Sequence, residues 1–240
     1  LDVNSKLNAV KDTKTVAPLI RQLCMVQDIN RLLPGKEYGF ENTNDRLWSY
    51  AKLINIERTL YLRNKTKGGQ IKITDFLKNG VKSIILANKS IQAYIDNTNG
   101  GQIFAFDFRD RHVNLCAAYS PQQHQPPNIL VAGKSRTWFT DRILAQDCKS
   151  SDLINGTAKE LGNFLNGQFE YKTRKTSSGV RIVLERQGPI LRDDRSSPLS
   201  IEKVYGLEQD LPVFNFVYQL SNLSLMDCHF KFATQLFFSF

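Results

Sequence analysis

Residues 70–108 read QIKITDFLKNGVKSIILANKSIQAYIDNTNGGQIFAFDF, and this stretch decides the fold. Apolar residues recur with a period near two through Gln70–Thr74, Lys82–Ala87, Ile91–Asp96 and Gln102–Phe108. The breaks between these runs carry Asn79-Gly80, Asn88-Lys89 and Asn97-Thr98-Asn99-Gly100-Gly101. Asn and Gly accept the backbone conformations that tight turns need, so the pattern reads as strands joined by short turns. In the fourth run, Phe104, Phe106 and Phe108 alternate with Ile103 and Ala105. A strand apolar on both faces belongs between layers. Further strands are expected at Phe169–Thr173, Val180–Glu185, Leu199–Tyr205, Val213–Leu220 and Cys228–Phe238. Many short strands with frequent turns predict a mainly β chain built as an antiparallel β-sandwich.

Upstream of residue 68 the period is helical. Leu19, Leu23, Val26, Ile29 and Leu33 recur at three- and four-residue steps, with Thr15 as the expected N-cap, Pro18 in the first turn and Pro34-Gly35 as the stop. A second helix is expected after Asn44-Asp45, with Leu47, Ala51, Ile54 and Tyr61 on one stripe and Leu53, Ile56 and Leu60 beside it. Two stripes call for two partners, so the helices should pack on each other and on the next part of the chain. The expected organisation is a helical segment over 1–67 and a sandwich over 68–240, with Pro121 to Asn128 a loop within the latter and Asp193-Asp194 a solvated loop.

Composition narrows the function. The 240 residues carry a net charge of +9. Residues 1–90 hold 16 Lys/Arg against 8 Asp/Glu and the other 150 hold 16 against 15, so the excess is N-terminal. It is scattered singly, as on solvated helix faces, and nucleic acid is not the expected partner. No apolar run reaches the roughly 18 residues of a membrane helix. Leu1-Asp2-Val3 opens no secretory signal and no initiator Met is present, so a cytoplasmic fragment or processed product is expected. Cys24, Cys116, Cys148 and Cys228 lack any CxxC spacing and read as reduced, mostly buried thiols; Asn64, Asn88, Asn155 and Asn222 begin sequons.

Catalytic patterns are sparse. The histidines are His112 in a turn, His124 in the Pro121-Gln122-Gln123-His124-Gln125 loop and His229 in a strand-like run; none accompanies a nucleophile elbow. No pair of histidines has metal-ligand spacing, and there is neither a phosphate loop nor a dinucleotide fingerprint, so no metal and no cofactor is expected. Asp107, Asp141, Asp147, Glu160 and Glu185 are acid–base candidates by type alone. Trp138, between Arg136-Thr137 and Phe139, is the aromatic expected to be exposed for stacking on a sugar.

In order along the chain come Ile84 to Asn88, Gly100 to Asp107, Asn114-Leu115, His124, RTWFTDRIL over Arg136 to Leu144, Glu160-Leu161-Gly162-Asn163-Phe164, Gly188, PLSIEKVY over Pro198 to Tyr205, Tyr218 and Asn222. This series resembles the C-terminal β-sandwich of family 57 glycoside hydrolases, the α-amylase and 4-α-glucanotransferase type. Leu53-Ile54-Asn55-Ile56-Glu57 resembles the end of the helix that precedes it. The sequence departs from the family at Asn163 (an Asp there), at Gln235 (a Glu), at Ser120 to His124, and in lacking the Trp-His-Gly that comes after a Gln-x-Asn stretch near Gln27-Asp28-Ile29-Asn30.

The resemblance implies a supersandwich similar to the galactose mutarotase fold. It implies a non-catalytic accessory region beside a catalytic barrel in the same or another chain, since the family's reacting carboxylates lie in that barrel. Contact with α-1,4-glucan is expected through Trp138, His124, Tyr119 and Asp141. Two alternatives belong to other classes. One is a stand-alone mutarotase-like enzyme, which needs a His and a carboxylate facing the sugar; the other is a basic binding module acting through residues 1–90.

Overall fold

The computed structural model of the chain describes residues 7, 13–27, 43–63, 68–77, 79–116, 137–192 and 195–238. Helices α1 (Thr13–Val26) and α2 (Thr43–Arg63) precede strands β1 (Gln70–Thr74), β2 (Ser83–Ala87), β3 (Ile91–Asp96), β4 (Gln102–Phe108) and the short β5 (Val113–Asn114). Then come β6 (Trp138–Leu144), the short helix α3 (Ser150–Asn155), β7 (Glu170–Thr176), β8 (Gly179–Arg192), β9 (Arg195–Glu208), β10 (Phe214–Asn222) and β11 (Lys231–Leu236). One antiparallel sheet runs β1-β2-β3-β4-β6-β11, with β5 beside β4; the other runs β10-β9-β8-β7.

The two sheets face each other. Ile84, Leu86, Ala93, Ile95 and Ile103 from the first meet Val180, Ile182, Leu184, Ile201 and Tyr205 from the second in one core. Each of the Val, Ile and Leu side chains contributes about 1.5–3 kcal/mol by leaving water. All five residues of β2 are buried, because the first sheet is covered on both sides. The second sheet covers one side, and Gln92 and Tyr94 meet Glu57 of α2 on the other. The two stripes of α2 divide as their spacing requires. Leu53, Ile56 and Leu60 pack with Val16, Leu19 and Leu23 of α1 and with Leu7. Tyr61, also buried, donates from its hydroxyl to Gly68 O at 2.7 Å.

Several expectations shift. Helix α1 begins at Thr13, so Thr15 is not its cap, and Pro18 lies past the first turn. Helix α2 begins at Thr43, which places Asn44-Asp45 inside its first turn. Ile29, Leu33, Pro34-Gly35, Pro121 to Asn128 and Asp193-Asp194 lie outside the described residues. Strand β6 was not among the expected strands, and β8 and β9 are 14 residues each, about twice the length of the apolar runs that announced them. The extra length is polar and includes the cross-strand pair Pro189 and Pro198. Prolines are tolerated there because β7 pairs only with residues 179–185 of β8 and β10 only with residues 199–207 of β9. His229 is exposed and precedes β11 rather than lying in it.

The alternation in β4 also breaks. Tyr94 pairs with Ala105 and Ile95 with Ile103, so Phe104 is an extra, bulged residue. Ile103 therefore joins Phe106 and Phe108 on the core face, while Phe104 packs on Tyr94 and Phe76 away from it. A second bulge falls on β6, where Trp138 pairs with Leu236 and Thr140 with Gln235. The odd residue is Phe139, at φ 61°. A bulky side chain costs about 1–2 kcal/mol in that left-handed region. Burial of its ring against Tyr205 and Phe216, both at 4.9 Å, offsets the strain.

The β3–β4 turn is held as its glycines predict, with Gly100 at φ 68° and Gly101 at φ 61°. A Cβ on Gly100 would lie 2.2 Å from the Leu165 carbonyl oxygen. Gly100→Ala combines this overlap with left-handed strain, and we expect it to lower stability by about 1–2 kcal/mol or more. Urea unfolding checks it, with the exposed Gly80→Ala, also at positive φ but with open space around its Cβ, as the comparison.

Candidate functional site

Two buried polar clusters flank the first sheet, one on each face. Between the sheets, Asp141 of β6 and Lys203 of β9 form an ion pair, with side chains 1% and 0% exposed. Each sits at an inward position of its strand, so the sandwich brings together residues 62 apart in sequence. The Lys203 ammonium also donates to Gly100 O. It lies 4.6 Å from the Phe169 ring centroid. The Asp141 carboxylate accepts from the Tyr218 hydroxyl, at 2.9 and 3.1 Å to its two oxygens. Tyr205 Oη donates to Gly101 O at 3.1 Å. Desolvation lowers the Lys203 pKa, and the Asp141 charge opposes that shift. Burial likewise holds the Tyr218 phenol well above its usual range, reinforced by Asp141.

On the other face, α2 contributes Glu57, β3 Gln92 and Tyr94, β4 Asp107, β5 Asn114, and the turn after β4 Arg109. Gln92 Nε2 donates to Glu57 Oε2 at 2.6 Å, and Tyr94 Oη to the same oxygen at 3.4 Å. Arg109 lies 3.8 Å from Glu57, donates to Asn88 O at 2.7 Å and to Gln92, and stacks over Tyr61 at 4.9 Å. Asn114 Nδ2 donates to Asp107 Oδ1. Burial is the main cause raising the Asp107 pKa to about 7; the neighbouring Glu57 adds to it, and Asn114 and Arg109 pull it down. A carboxyl with that pKa can carry a proton at neutral pH. At 6% exposure it has little access to a substrate.

The four residues expected to contact glucan are not brought together as an exposed site. Tyr119 and His124 lie outside the described residues. Trp138 is 6% exposed, and this corrects the expectation that it stands free. Its ring packs on Phe106 at 4.6 Å and Phe238 at 4.9 Å, and its Nε1–H donates to Phe237 O at 2.7 Å. The physical cause is strand β6: it belongs to the first sheet, and a large apolar ring on it turns into the core. Asp141, an acid by type, is tied up by Lys203 and Tyr218. Of the other carboxylate candidates, Glu160 pairs with Arg142, and Glu185 lies across from Glu202 and Glu170 in the second sheet.

Four residues escaped the sequence reading: Lys203, Arg109, Gln92 and Asn88. For Lys203 and Gln92 the available signal was a charged or amide residue within an apolar run; Arg109 directly follows one. Asn88 was read as a turn residue and the start of a sequon. Its side chain is buried, donating to Glu208 O at 2.6 Å and Leu211 O at 2.9 Å, and accepting from the backbone of Ser90 and Ile91. The four thiols are free as expected, but only Cys116 is buried, which pushes it up to about 12.

Architecture and clusters together define a two-sheet sandwich with a helical pair docked on one face, the charges of the two buried clusters paired or hydrogen-bonded. A family model described as alpha-amylase/4-alpha-glucanotransferase, C-terminal, matches residues 131–240, in agreement with the resemblance read from the sequence. No curated protein matches the chain. Among solved structures, the 4-alpha-glucanotransferase from Thermococcus litoralis superposes with a TM-score of 0.67 at 21% identity, over 88% of this chain and 33% of that one. The likeness establishes a shared fold. The chain spans about a third of the length of that relative.

Proposed function

We propose that the chain is a non-catalytic accessory region of an α-glucan-processing enzyme, supporting a catalytic barrel and contacting α-1,4-glucan. The observation that carries the reading is the match of residues 131–240 to the C-terminal region of the α-amylase/4-α-glucanotransferase family. The chemistry of the described residues supports it. The two most deeply buried acids, Asp141 and Asp107, sit at 1% and 6% exposure inside networks that brace one layer against the next. Such clusters suit a rigid support, since a fully satisfied buried network specifies one arrangement of its elements.

Affinity electrophoresis in gels containing glycogen tests the reading, at low and moderate salt. The expected result is retardation that survives salt, because sugar contacts are made by hydrogen bonds and apolar faces rather than by net charge. Retardation that disappears with salt would favour the basic surface of residues 1–90 instead, as counterion release makes such binding steeply salt-dependent. Migration unaffected by glycogen at any salt would remove the glucan contact from the proposal.

A further inference from the structure

A polar cleft of about 540 Å³ opens where β6 ends, lined by Ala145, Gln146, Asp147, Lys159, Leu161 and Arg192. Its walls are the segment that follows β6, the segment before β7 and Arg192 at the end of β8, and they are tied by backbone. Leu161 N donates to Ile143 O at 2.8 Å and Leu191 N to Leu161 O at 2.6 Å, so the segment carrying Lys159 and Leu161 is stitched to β6 on one side and β8 on the other. Arg142 and Glu160 form an ion pair that adds a further tie. The cleft is thus a feature of the folded framework. Its volume falls within the roughly 300–1,000 Å³ of clefts that hold small ligands.

We propose that this cleft binds a short α-1,4-glucan segment; the inference rests on the glucan contact proposed above and gives it a place. Trp138 and Asp141, two of the residues first expected to make that contact, are committed to the core. The cleft lies at the opposite end of β6 from Trp138, about 23 Å away at the rise of an extended strand. Gln146, Asp147, Lys159 and Arg192 are exposed, and Leu161 supplies a buried apolar floor beside Ala145. Adjacent sugar hydroxyls each donate and accept. Lys159 and Arg192 are donors, Asp147 is an acceptor and Gln146 is both, which matches a row of hydroxyls over a C–H face. A simple anion suits the lining less well, because Asp147 stands among the cations.

Calorimetry of the full chain with maltoheptaose tests this, using Asp147→Ala/Arg192→Ala and the milder Asp147→Asn, with thermal midpoints recorded for each. These side chains are exposed, so the midpoints should stay near that of the parent. The expected result is parent binding that weakens by at least about tenfold in the double variant, as loss of charged hydrogen bonds requires. Equal affinity in parent and variants would overturn the cleft while leaving a glucan contact elsewhere. Absence of maltoheptaose binding in the parent would remove both the cleft and the contact on which it rests. Inorganic phosphate binding more tightly than the sugar, and lost in Arg192→Ala, would overturn the sugar assignment in favour of an anion site.

Discussion

Lys203→Ala is expected to destabilise the protein by about 3–5 kcal/mol, the usual cost of removing one partner from a buried ion pair. The ammonium is wholly buried and holds Asp141 of the facing sheet, the Gly100 carbonyl and the face of Phe169. Its removal leaves the Asp141 carboxylate charged in a dry interior with Tyr218 as its remaining hydrogen-bond donor. At about 2–4 °C per kcal/mol for a chain of this size, the thermal midpoint should fall by roughly 6–20 °C. The pairing, rather than the mere presence of polar atoms, is what the site requires. Asp141→Leu/Lys203→Met, which removes both charges and keeps the volume apolar, should therefore recover most of the loss, since two desolvation penalties vanish along with one attraction. Calorimetric melts of the parent, Lys203→Ala and the double variant make the comparison. A double variant no more stable than Lys203→Ala would show that the ion pair is not the dominant interaction between the sheets at this point.

The second large effect depends on pH. The folded Asp107 carboxyl has a pKa of about 7 against an ordinary value of 3.8, so the native state binds this proton more tightly than the unfolded chain does. A group raised in this way contributes its full stabilisation below pH 3.8; the contribution falls as pH climbs toward 7 and is gone above it. Between pH 5 and pH 8 the group should remove about 3 kcal/mol of stability, at about 1.4 kcal/mol per pH unit across the interval where the two states differ in protonation. Asp107→Asn keeps an oxygen for Asn114 and never ionises. The variant should gain on the parent from pH 5 to about pH 7 and level off by pH 8, as followed by urea unfolding at each pH. A difference between parent and variant that stays constant over this range would show that Asp107 is already charged in the native state at pH 5.

These effects converge on a picture in which the sandwich is braced twice. The inter-sheet pair ties β6 to β9, and the Glu57–Gln92–Arg109 group ties α2 to the outer face of the first sheet. Both ties cross from one layer to another. Sliding between layers is resisted by such directional contacts more sharply than by apolar packing alone.

How much of this could be read in the residue order depends on the range of each interaction. Period-two runs and Asn-Gly turn chemistry are local, and they placed β1, β3 and β4 to the residue and located β2, β7, β8, β9 and β10. The two stripes of α2 likewise announced two packing partners. The resemblance of Arg136 to Leu144 and Pro198 to Tyr205 pointed to the family whose model matches residues 131–240. Local reading failed where a long-range neighbour sets the outcome. The polar extension of the β8–β9 hairpin forms because each strand is templated by the other, and no apolar period marks it. Bulges at Phe104 and Phe139 arise from the register of a partner strand, and each changes which side chains share a face. Trp138 and Asp141 carried the chemistry expected of a sugar site, yet their strand belongs to the first sheet and turns them toward the second, so one became core and the other the partner of Lys203. Pattern along the chain specifies which segments extend and where they turn. Which polar groups meet, and whether water reaches them, is decided by residues dozens of positions apart being packed face to face.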